Sequence, residues 1–425
     1  MMDDPLQKFD SATRRQFVQR MAATAFGLNI LPTASSLADE SEEIPSSGPG
    51  FGSAKSVIVL QLNGGVSHID TLDPKKGNGP GKAINTAADF QVTEYLPRIA
   101  KVADRICVLR SMAAEVGVHA PAKYVMRTGY NGRGTVVHPN IGAWAQHYLG
   151  RSHAQMPSSV CINQRSARGN GFFSSSHAPL AIGEPNSGIG NIDALTGDHL
   201  MLKRTQLLNA LDSDFRKRYQ DKQVQAYNGF YDDAVTLMKS SELDAFDLKK
   251  EAAKVREAYG SSRFGQGCLL ARRLVQSGVR FVEVAHEGWD MHKNLEDDIT
   301  ELTPVFDQAF SALLRDLENQ GILDHTLVVV STEFGRKPKF DGNGRGHHPV
   351  CFSTVLAGGG IKRGYVHGAS NGDGGYVDRD EVTIGNFHAT IGWAMGLPLS
   401  TEAVSPSGRP FTVGDKEKPV MNVFA

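Results

Sequence analysis

The sequence predicts an α/β protein with a largely parallel central sheet flanked by helices on both faces. The first observation is a set of short, nearly uninterrupted apolar runs bounded by turn residues, at 56–62, 105–112, 279–285, 326–332 and 351–357. Such runs are typical of strands in a parallel sheet that is covered on both sides. The second observation is that helical patterns lie between the runs, as crossover connections require.

The clearest helical pattern precedes the fourth run. Its apolar residues recur at spacings of three and four and form one stripe, made by Leu302, Val305, Phe306, Ala309, Phe310, Leu313, Leu314 and Leu317. Gly321 predicts the end of this helix, because glycine readily adopts the left-handed conformation that terminates helices. The stretch 169–260 differs, since it begins rich in Gly, Ser, Asn and Pro and becomes charged and helical. We interpret it as an insertion on one edge of the sheet, with a lid as one form it could take.

Composition limits the partners of the protein. The 425 residues include 45 Lys and Arg against 46 Asp and Glu, which gives a net charge of −1. This balance argues against a nucleic-acid or anionic-membrane partner, which would favour a basic surface. Three of the four widely spaced cysteines lie in apolar runs, which predicts buried free thiols in place of a disulfide framework.

The N-terminus has the pattern of an export signal. Arg14 and Arg15 are followed by a modestly apolar run at 21–31 and by small residues at Ser36 and Ala38. This order matches a twin-arginine signal peptide with its cleavage site. The alternative is an ordinary amphipathic helix with two surface arginines. The export interpretation predicts a periplasmic or secreted protein.

The domain organisation follows from this signal. We predict a signal peptide at 1–38, a polar linker at 39–52 and a single α/β domain at 53–425 that contains the insertion. After the signal, no segment approaches the apolar length of a membrane span, so we predict none in the mature chain.

Polar and metal-capable residues follow four of the five predicted strands. In chain order they are Asn63 and Asp70, then His119 and Lys123, then Asp290 and His292, and finally Glu333, Arg336, His347 and His348. Functional groups of parallel sheets lie just beyond the carboxyl ends of the strands, so these side chains are expected at one common edge. Imidazole and carboxylate groups are ligands of zinc, manganese or iron, and an oxygen-rich set suits calcium.

Structural alternatives exist for several of these residues. Asp290 and His292 flank one residue and therefore point the same way on an extended segment, but Asp290 is also suited to cap the following helix. The pair His347-His348 precedes Pro349, and a simple turn is the alternative there. The convergence of several such groups on one edge favours a functional pocket.

The order of these motifs resembles the sulfatase branch of the alkaline phosphatase superfamily. Similar segments lie at 62–65, 93–100, 119–129, 323–335 and 386–393. The segments LNGGVSHIDTLDPK, RFGQGCLLARRLV, WDMHKN, STEFGRKP and GRGHHP are closer still to an exported bacterial family, domain of unknown function 1501. The resemblance implies an alkaline phosphatase-like fold over about 56–397.

The departures from the sulfatase pattern are informative. His119 stands at the position of the cysteine or serine that sulfatases convert to formylglycine, which excludes that mechanism. Lys123 replaces an arginine and keeps its charge, Asn63 replaces a charged ligand, and Phe334 replaces the ligand beside Glu333. A dinuclear site is therefore not expected. The resemblance implies one divalent ion (zinc, manganese or calcium) held by some of Asn63, Asp70, His119, Asp290, His292, Glu333, His347 and His348.

Two functions follow from this resemblance. The first is a metal-assisted hydrolase of a phosphate or sulfate ester, with a polysaccharide as one carrier of the ester. In it, Lys123 and Arg336 would neutralise the anion, and His119 would be a ligand, general base or nucleophile. The second is a non-catalytic envelope protein on the same fold that binds a glycan or a protein partner.

Overall fold

The computed structural model describes residues 44, 46–132, 134–165, 169–189, 203, 207, 236–238 and 240–425. The predicted signal peptide at 1–38, the first residues of the predicted linker at 39–52 and the centre of the predicted insertion at 169–260 lie outside these residues. Residues Ile44–Ala425 form one compact unit.

The strands of the described residues are two to eight residues long. They are β1 (Ser56–Leu62), β2 (Ala83–Asn85), β3 (Gln91–Thr93), β4 (Ile106–Ala113), β5 (Ser159–Ile162), β6 (Leu180–Ile182), β7 (Phe281–His286), β8 (Thr326–Ser331), β9 (Gly335–Asp341), β10 (Gly344–His348), β11 (Phe352–Ala357), β12 (Tyr365–His367), β13 (Ala369–Ser370), β14 (Val377–Arg379), β15 (Val382–Thr383), β16 (Ala403–Val404) and β17 (Pro410–Phe411).

The α-helices within the same residues are α1 (Pro97–Ala100), α2 (His119–Thr128), α3 (Ile141–Leu149), α4 (Ala253–Tyr259), α5 (Arg263–Gln276), α6 (Leu295–Asn319) and α7 (Ile384–Ala394). Short 3₁₀ helices lie at Ala103–Arg105, Ser175–His177, Pro185–Ser187, Ser241–Phe246, Leu248–Lys250, Leu323–His325 and Met421–Val423.

The central sheet is mixed but mostly parallel, which confirms the predicted fold class. Nine described strands form it in the order β12-β4-β11-β8-β1-β7-β5-β6, with β15 also paired to β4. All its pairings are parallel except those of β11, which runs antiparallel to both β4 and β8. The run at 351–357 therefore points opposite to the other four predicted strands. An apolar run does not encode a direction, so the sequence could not reveal this.

Both faces of the sheet are covered by helices, as predicted. Side chains of β1 alternate between two hydrophobic cores, with Ile58 and Leu60 in one and Val57 and Val59 in the other. The first core contains residues of α5 and α6, and the second contains residues of α3 and α7. Burial on both faces explains why β1 has no polar alternation.

Helix α6 extends the predicted apolar stripe toward its N-terminus. It begins at Leu295, and its first turn contains Glu296, Asp297 and Asp298, whose charges suit the positive end of the helix dipole. Gly321 adopts a φ of 70° just after the helix, in agreement with its predicted role as a terminator.

Several features were not apparent from the sequence. Strands β5 and β6 have only four and three residues, too short for a periodic signal, and β6 places part of the predicted insertion in the sheet as an edge strand.

All four cysteines are free and buried, as predicted. At the end of the predicted linker, Trp393 Nε1 donates a hydrogen bond to Pro49 O at 2.8 Å. None of the described helices has the length and hydrophobicity needed to cross a bilayer.

Candidate metal centre

The candidate site is formed by loops that follow three adjacent parallel strands, β8, β1 and β7. Their carboxyl ends lie at the same edge of the sheet, which brings the segments 332–335, 63–66 and 287–292 together. The start of α2 and the hairpin of β9 and β10 complete the site. Because β11 is antiparallel, the segment that precedes it lies at this same edge.

Four metal-capable side chains converge there. Within the described part of the chain, His119, Asp290, His292 and His347 form one group whose ligand atoms all lie within 4.8 Å of one another. His119 Nε2 is 3.2 Å from Asp290 Oδ2, and Asp290 Oδ1 is 3.3 Å from His292 Nε2 and 3.6 Å from His347 Nε2. The structure therefore brings together four residues that the sequence had singled out.

The donor atoms of this group suit a transition-metal ion. Three imidazoles and one carboxylate match zinc or a similar metal better than calcium, which prefers six or more oxygen ligands.

Neighbouring groups orient two of the histidines. His119 Nδ1 donates to Glu333 Oε1 at 2.9 Å, and His347 Nδ1 donates to the Gly117 carbonyl at 2.7 Å. Because each Nδ1 carries the proton, each Nε2 of the neutral ring has a free lone pair directed at the group. This arrangement is typical of metal-bound histidines, whose second nitrogen is held by a carboxylate or a backbone carbonyl.

Two observations indicate that the group is suited to a cation. His119 Nε2 is buried and has no hydrogen-bond partner within the described residues. His292 Nε2 and His347 Nε2 are 2.8 Å apart, although His347 Nε2 has only a lone pair to offer. Either a proton on His292 or a cation shared by both rings must lie between these nitrogens, because two lone pairs would repel each other.

Arg336 has a different role from the one predicted. Its side chain is completely buried, and it donates to the carbonyl oxygens of Gly64, Gly65 and Arg345 and to Asp290. It is therefore not available to neutralise a substrate anion. Partial burial acts to raise the pKa of Asp290, but the hydrogen bond and charge of Arg336, with smaller contributions from His119 and His292, hold that pKa below its usual value. Arg336 thus keeps Asp290 ionised and positioned.

Glu333 lies behind the group. It is buried, and its Oε1 accepts hydrogen bonds from both Gly64 N and His119 Nδ1. The sequence predicted it as a direct ligand, but the structure places it where it orients His119. The rings of His119 and His347 both pack against Phe334, with centroid distances of 5.0 and 4.4 Å.

The structure places Asp70 and His348 outside the group. Both carboxylate oxygens of Asp70 contact the buried Arg345, at 2.8 and 3.1 Å. His348 Nε2 donates to the Gly375 carbonyl at 2.8 Å. Successive residues of a strand point to opposite faces, so His347 and His348 cannot both face the same site.

Asn63 and Lys123 border the group without joining it. Asn63 is buried and donates to Glu287 Oε1 at 2.6 Å, while its own Oδ1 has no hydrogen-bond partner among the described residues. Lys123 Nζ lies 3.9 Å from Glu287 Oε2 and 4.0 Å from Glu333 Oε1. Lys123 remains partly exposed one helical turn after His119, where an anion can reach it.

Two backbone groups of the site were not identified by the sequence analysis. The Gly117 carbonyl that orients His347 comes from a loop with no metal-capable side chain. Gly64 N bonds to Glu333, and Gly64 has a φ of 129°, in the range that favours glycine. A glycine pair directly after a buried strand is the one signal that pointed to this close approach.

We predict that Gly64→Ala disrupts the site. A Cβ atom there would lie 2.3 Å from Asp290 N, so the segment that carries Asp290 and His292 would have to move. We expect a loss of about 1–3 kcal/mol in the free energy of unfolding together with weaker zinc binding. Gly372→Ala is the matched control, because the added Cβ would meet no atom within 4 Å. Equal zinc affinity in both variants, measured by calorimetry, would contradict the prediction.

The fold and the site define the class: an α/β protein with a histidine- and aspartate-based candidate metal centre at the carboxyl edge of its sheet. The chain belongs to the family described as protein of unknown function (DUF1501), which it matches over residues 54–424. No curated protein matches the sequence.

Solved structures with similar folds include three bacterial enzymes. The lipoteichoic acid synthase LtaP from Listeria monocytogenes is 8% identical, with a TM-score of 0.40 over 84% of this chain and 76% of that chain. The PsFucS1 sulfatase from Pseudoalteromonas sp. is 12% identical, with a TM-score of 0.39 over 81% and 68%. The alkaline phosphatase from the Antarctic bacterium TAB5 is 13% identical, with a TM-score of 0.31 over 72% and 92%.

Proposed function

We propose that the protein is a metal-dependent hydrolase of phosphate or sulfate esters. The observation that carries this proposal is the convergence of His119, Asp290, His292 and His347 at an open edge of the sheet. The side chains of Asp290 and His292 are each about half exposed, so a substrate can approach the group. Four protein ligands would already satisfy a zinc ion, so an ester oxygen would have to join it as an additional ligand from this exposed side.

Individual residues of the site would bind the ion or hold its ligands in position. His119, Asp290, His292 and His347 would hold the ion, and a bound divalent ion supplies a Lewis acid that polarises an ester oxygen. Glu333 holds His119 through its Nδ1, and Arg336 holds Asp290. These contacts keep the ligands in place before the ion binds.

Lys123 is the residue that we assign to the ester anion. Its ammonium group lies beside the metal-capable group, and its two carboxylate neighbours are 3.9 and 4.0 Å away, too long for strong hydrogen bonds. It can therefore turn toward a phosphate or sulfate oxygen.

His119 serves better as a ligand than as a nucleophile in this proposal. Its Nδ1 is bonded to Glu333 and its Nε2 faces Asp290, so neither nitrogen is directed at open solvent. The mechanism therefore differs from that of formylglycine sulfatases, which attack with a modified cysteine or serine.

The second candidate function is non-catalytic binding of a glycan or protein partner. It is favoured by Phe334, which packs against His119 and His347 at a position where the sulfatase pattern has a ligand. An ancestral centre that lost a ligand could keep its fold and its surface while losing its chemistry.

Hydrolysis assays distinguish the two functions. We expect zinc-loaded protein to cleave p-nitrophenyl phosphate, p-nitrophenyl sulfate or bis(p-nitrophenyl) phosphate, and chelation to remove this activity until zinc is restored. Glu333→Gln should lower the zinc affinity about 10–100-fold, because it weakens the support of His119. If zinc binds but none of the esters is cleaved faster than by His292→Ala, the hydrolase proposal fails and the binding function is favoured.

We also propose that the protein is exported by the twin-arginine pathway, on the basis of Arg14 and Arg15. The variant Arg14→Lys/Arg15→Lys keeps the charge and should leave the precursor in the cytoplasm, because the transporter recognises the arginine pair. Arg20→Lys is the control and should be exported normally. Cell fractionation measures the outcome, and normal export of the double variant would contradict the proposal.

A further inference from the structure

The hairpin of β9 and β10 has a second face that the metal centre does not use. In the hairpin, His347 pairs with Arg336 and His348 pairs with Gly335. Beyond a register shift in this ladder, Lys337 and Lys339 line an open cleft of about 490 Å³ together with His348.

Residues that the sequence singled out, but that the metal centre does not contain, build this cleft. Asp70 fixes the buried Arg345, whose Nη1 donates to the carbonyls of Lys337 and Pro338 and to Asn78 Oδ1. These bonds hold the floor of the cleft in one conformation. The Asp70–Arg345 pair thus stabilises the conformation of the hairpin.

The opposite wall is fixed by hydrogen bonds as well. His348 Nε2 donates to the Gly375 carbonyl, and Asn78 Nδ2 donates to the Asp373 carbonyl at 3.0 Å. Asn371 Oδ1 accepts from Gly375 N and Tyr376 N, at 2.8 and 3.0 Å. The turn that presents Tyr376 is therefore formed before any ligand arrives, which reduces the entropy lost on binding.

The cleft combines cationic, aromatic and carboxylate side chains. Lys337 and Lys339 are exposed, and within the described residues neither forms an ion pair. Tyr376 is 68% exposed, which leaves its ring as a flat apolar surface beside two cations. Asp373 Oδ1 accepts from Gly375 N at 2.9 Å, and its other carboxylate oxygen adds a hydrogen-bond acceptor to the same lining. The volume falls in the range of about 300–1,000 Å³ that small-molecule sites occupy.

We propose that this cleft binds a sulfated or phosphorylated sugar unit of a polysaccharide. Lys337 and Lys339 bind the anionic group, the ring of Tyr376 stacks on the C–H face of the sugar, and Asp373 accepts hydrogen bonds from its hydroxyls. A lipid chain would require a more apolar lining than two lysines and an aspartate provide. Sugars combine an apolar face, hydroxyls and charge, as the cleft does.

This inference rests on the proposed function, because the sugar bound in the cleft would be part of the substrate of the proposed hydrolase. The hairpin that lines the cleft also carries His347, which connects the cleft to the metal centre. It identifies the substrate as an anionic polysaccharide that is held at the cleft while an ester is cleaved at the centre. Binding at the cleft does not itself require the ion or hydrolysis, so the two proposals can fail separately.

Calorimetry with a short sulfated dextran oligomer tests the proposal. We expect this oligomer to bind about tenfold or more tightly than both unsulfated dextran of the same length and inorganic sulfate, because it offers both charge and a stacking face. Its affinity should fall as salt is raised, since exposed ion pairs are screened. Equal affinity for the sulfated and unsulfated oligomers would overturn the proposal.

Variants locate the binding to the cleft. Lys337→Ala/Lys339→Ala and Tyr376→Ala should each weaken oligomer binding about tenfold, whereas Tyr376→Phe should restore it because the ring remains. Lys101→Ala/Lys254→Ala removes two exposed lysines elsewhere and is the matched control. Wild-type affinity in the cleft lysine variant would refute the cleft assignment, even if the protein hydrolyses small esters. Oligomer binding without any hydrolysis would support the cleft and contradict the hydrolase.

Discussion

His347→Ala is expected to abolish the stabilisation that zinc gives to the wild-type protein. The ligand atoms of the group are already within 4.8 Å of one another, so a site formed on folding should bind the ion without rearrangement. An ion that binds only the native state raises the free energy of unfolding by about 2.7 kcal/mol at a hundredfold excess over its dissociation constant. Thermal unfolding with and without zinc measures this increment.

His348→Ala is the matched control for that experiment. It removes the same side chain from the next position of the same strand, but its imidazole bonds to the Gly375 carbonyl on the other face of the hairpin. We expect it to keep the full zinc increment. The assignment of the centre is wrong if both variants lose the increment or if both retain it.

Asp70→Ala is expected to lower the free energy of unfolding by about 3–5 kcal/mol, because it leaves a buried arginine charge without its partner. Both side chains of the Asp70–Arg345 pair are fully buried, so water cannot replace the lost carboxylate. The zinc affinity of the variant should stay close to that of the wild type. Urea unfolding and calorimetry measure the two quantities.

An exposed ion pair provides the comparison. Asp324 contacts Arg363 at 2.9 Å, and both side chains are largely open to solvent. Asp324→Ala should therefore change stability by less than about 1 kcal/mol. If Asp70→Ala instead removed zinc binding and left stability unchanged, Asp70 would be a ligand, as the sequence had suggested.

Much of the fold was predictable from local patterns. The run at 56–62 was identified to the residue, because a strand buried on both faces is nearly continuous in apolar residues. The stripe in α6 was equally clear, since a helix that covers a sheet buries one side. The common edge followed from the chain order of strands and polar residues, and it brought His119, Asp290, His292 and His347 together.

The roles of individual polar residues were harder to predict. Asp70 and Asp290 both follow strands, yet one is paired with a buried arginine and the other lies in the metal-capable group. Arg336 and Arg345 are completely buried, although arginine is mostly found on surfaces. Arg336 bonds to the Gly65 carbonyl and Arg345 bonds to Asp70, contacts between distant segments that no local pattern records.

The sequence by itself determined the α/β class, five of the strands, the helix α6 and the edge where the polar groups gather, because these depend on apolar periodicity and chain order. The tertiary structure decided the direction of β11 and the opposite faces of His347 and His348. It also decided which of the nearby carboxylates lies in the metal-capable group and which arginines are buried. These features depend on contacts between residues up to about 270 positions apart, such as Gly64 and Glu333. Such contacts depend on strand pairing and register, which are global properties of the fold.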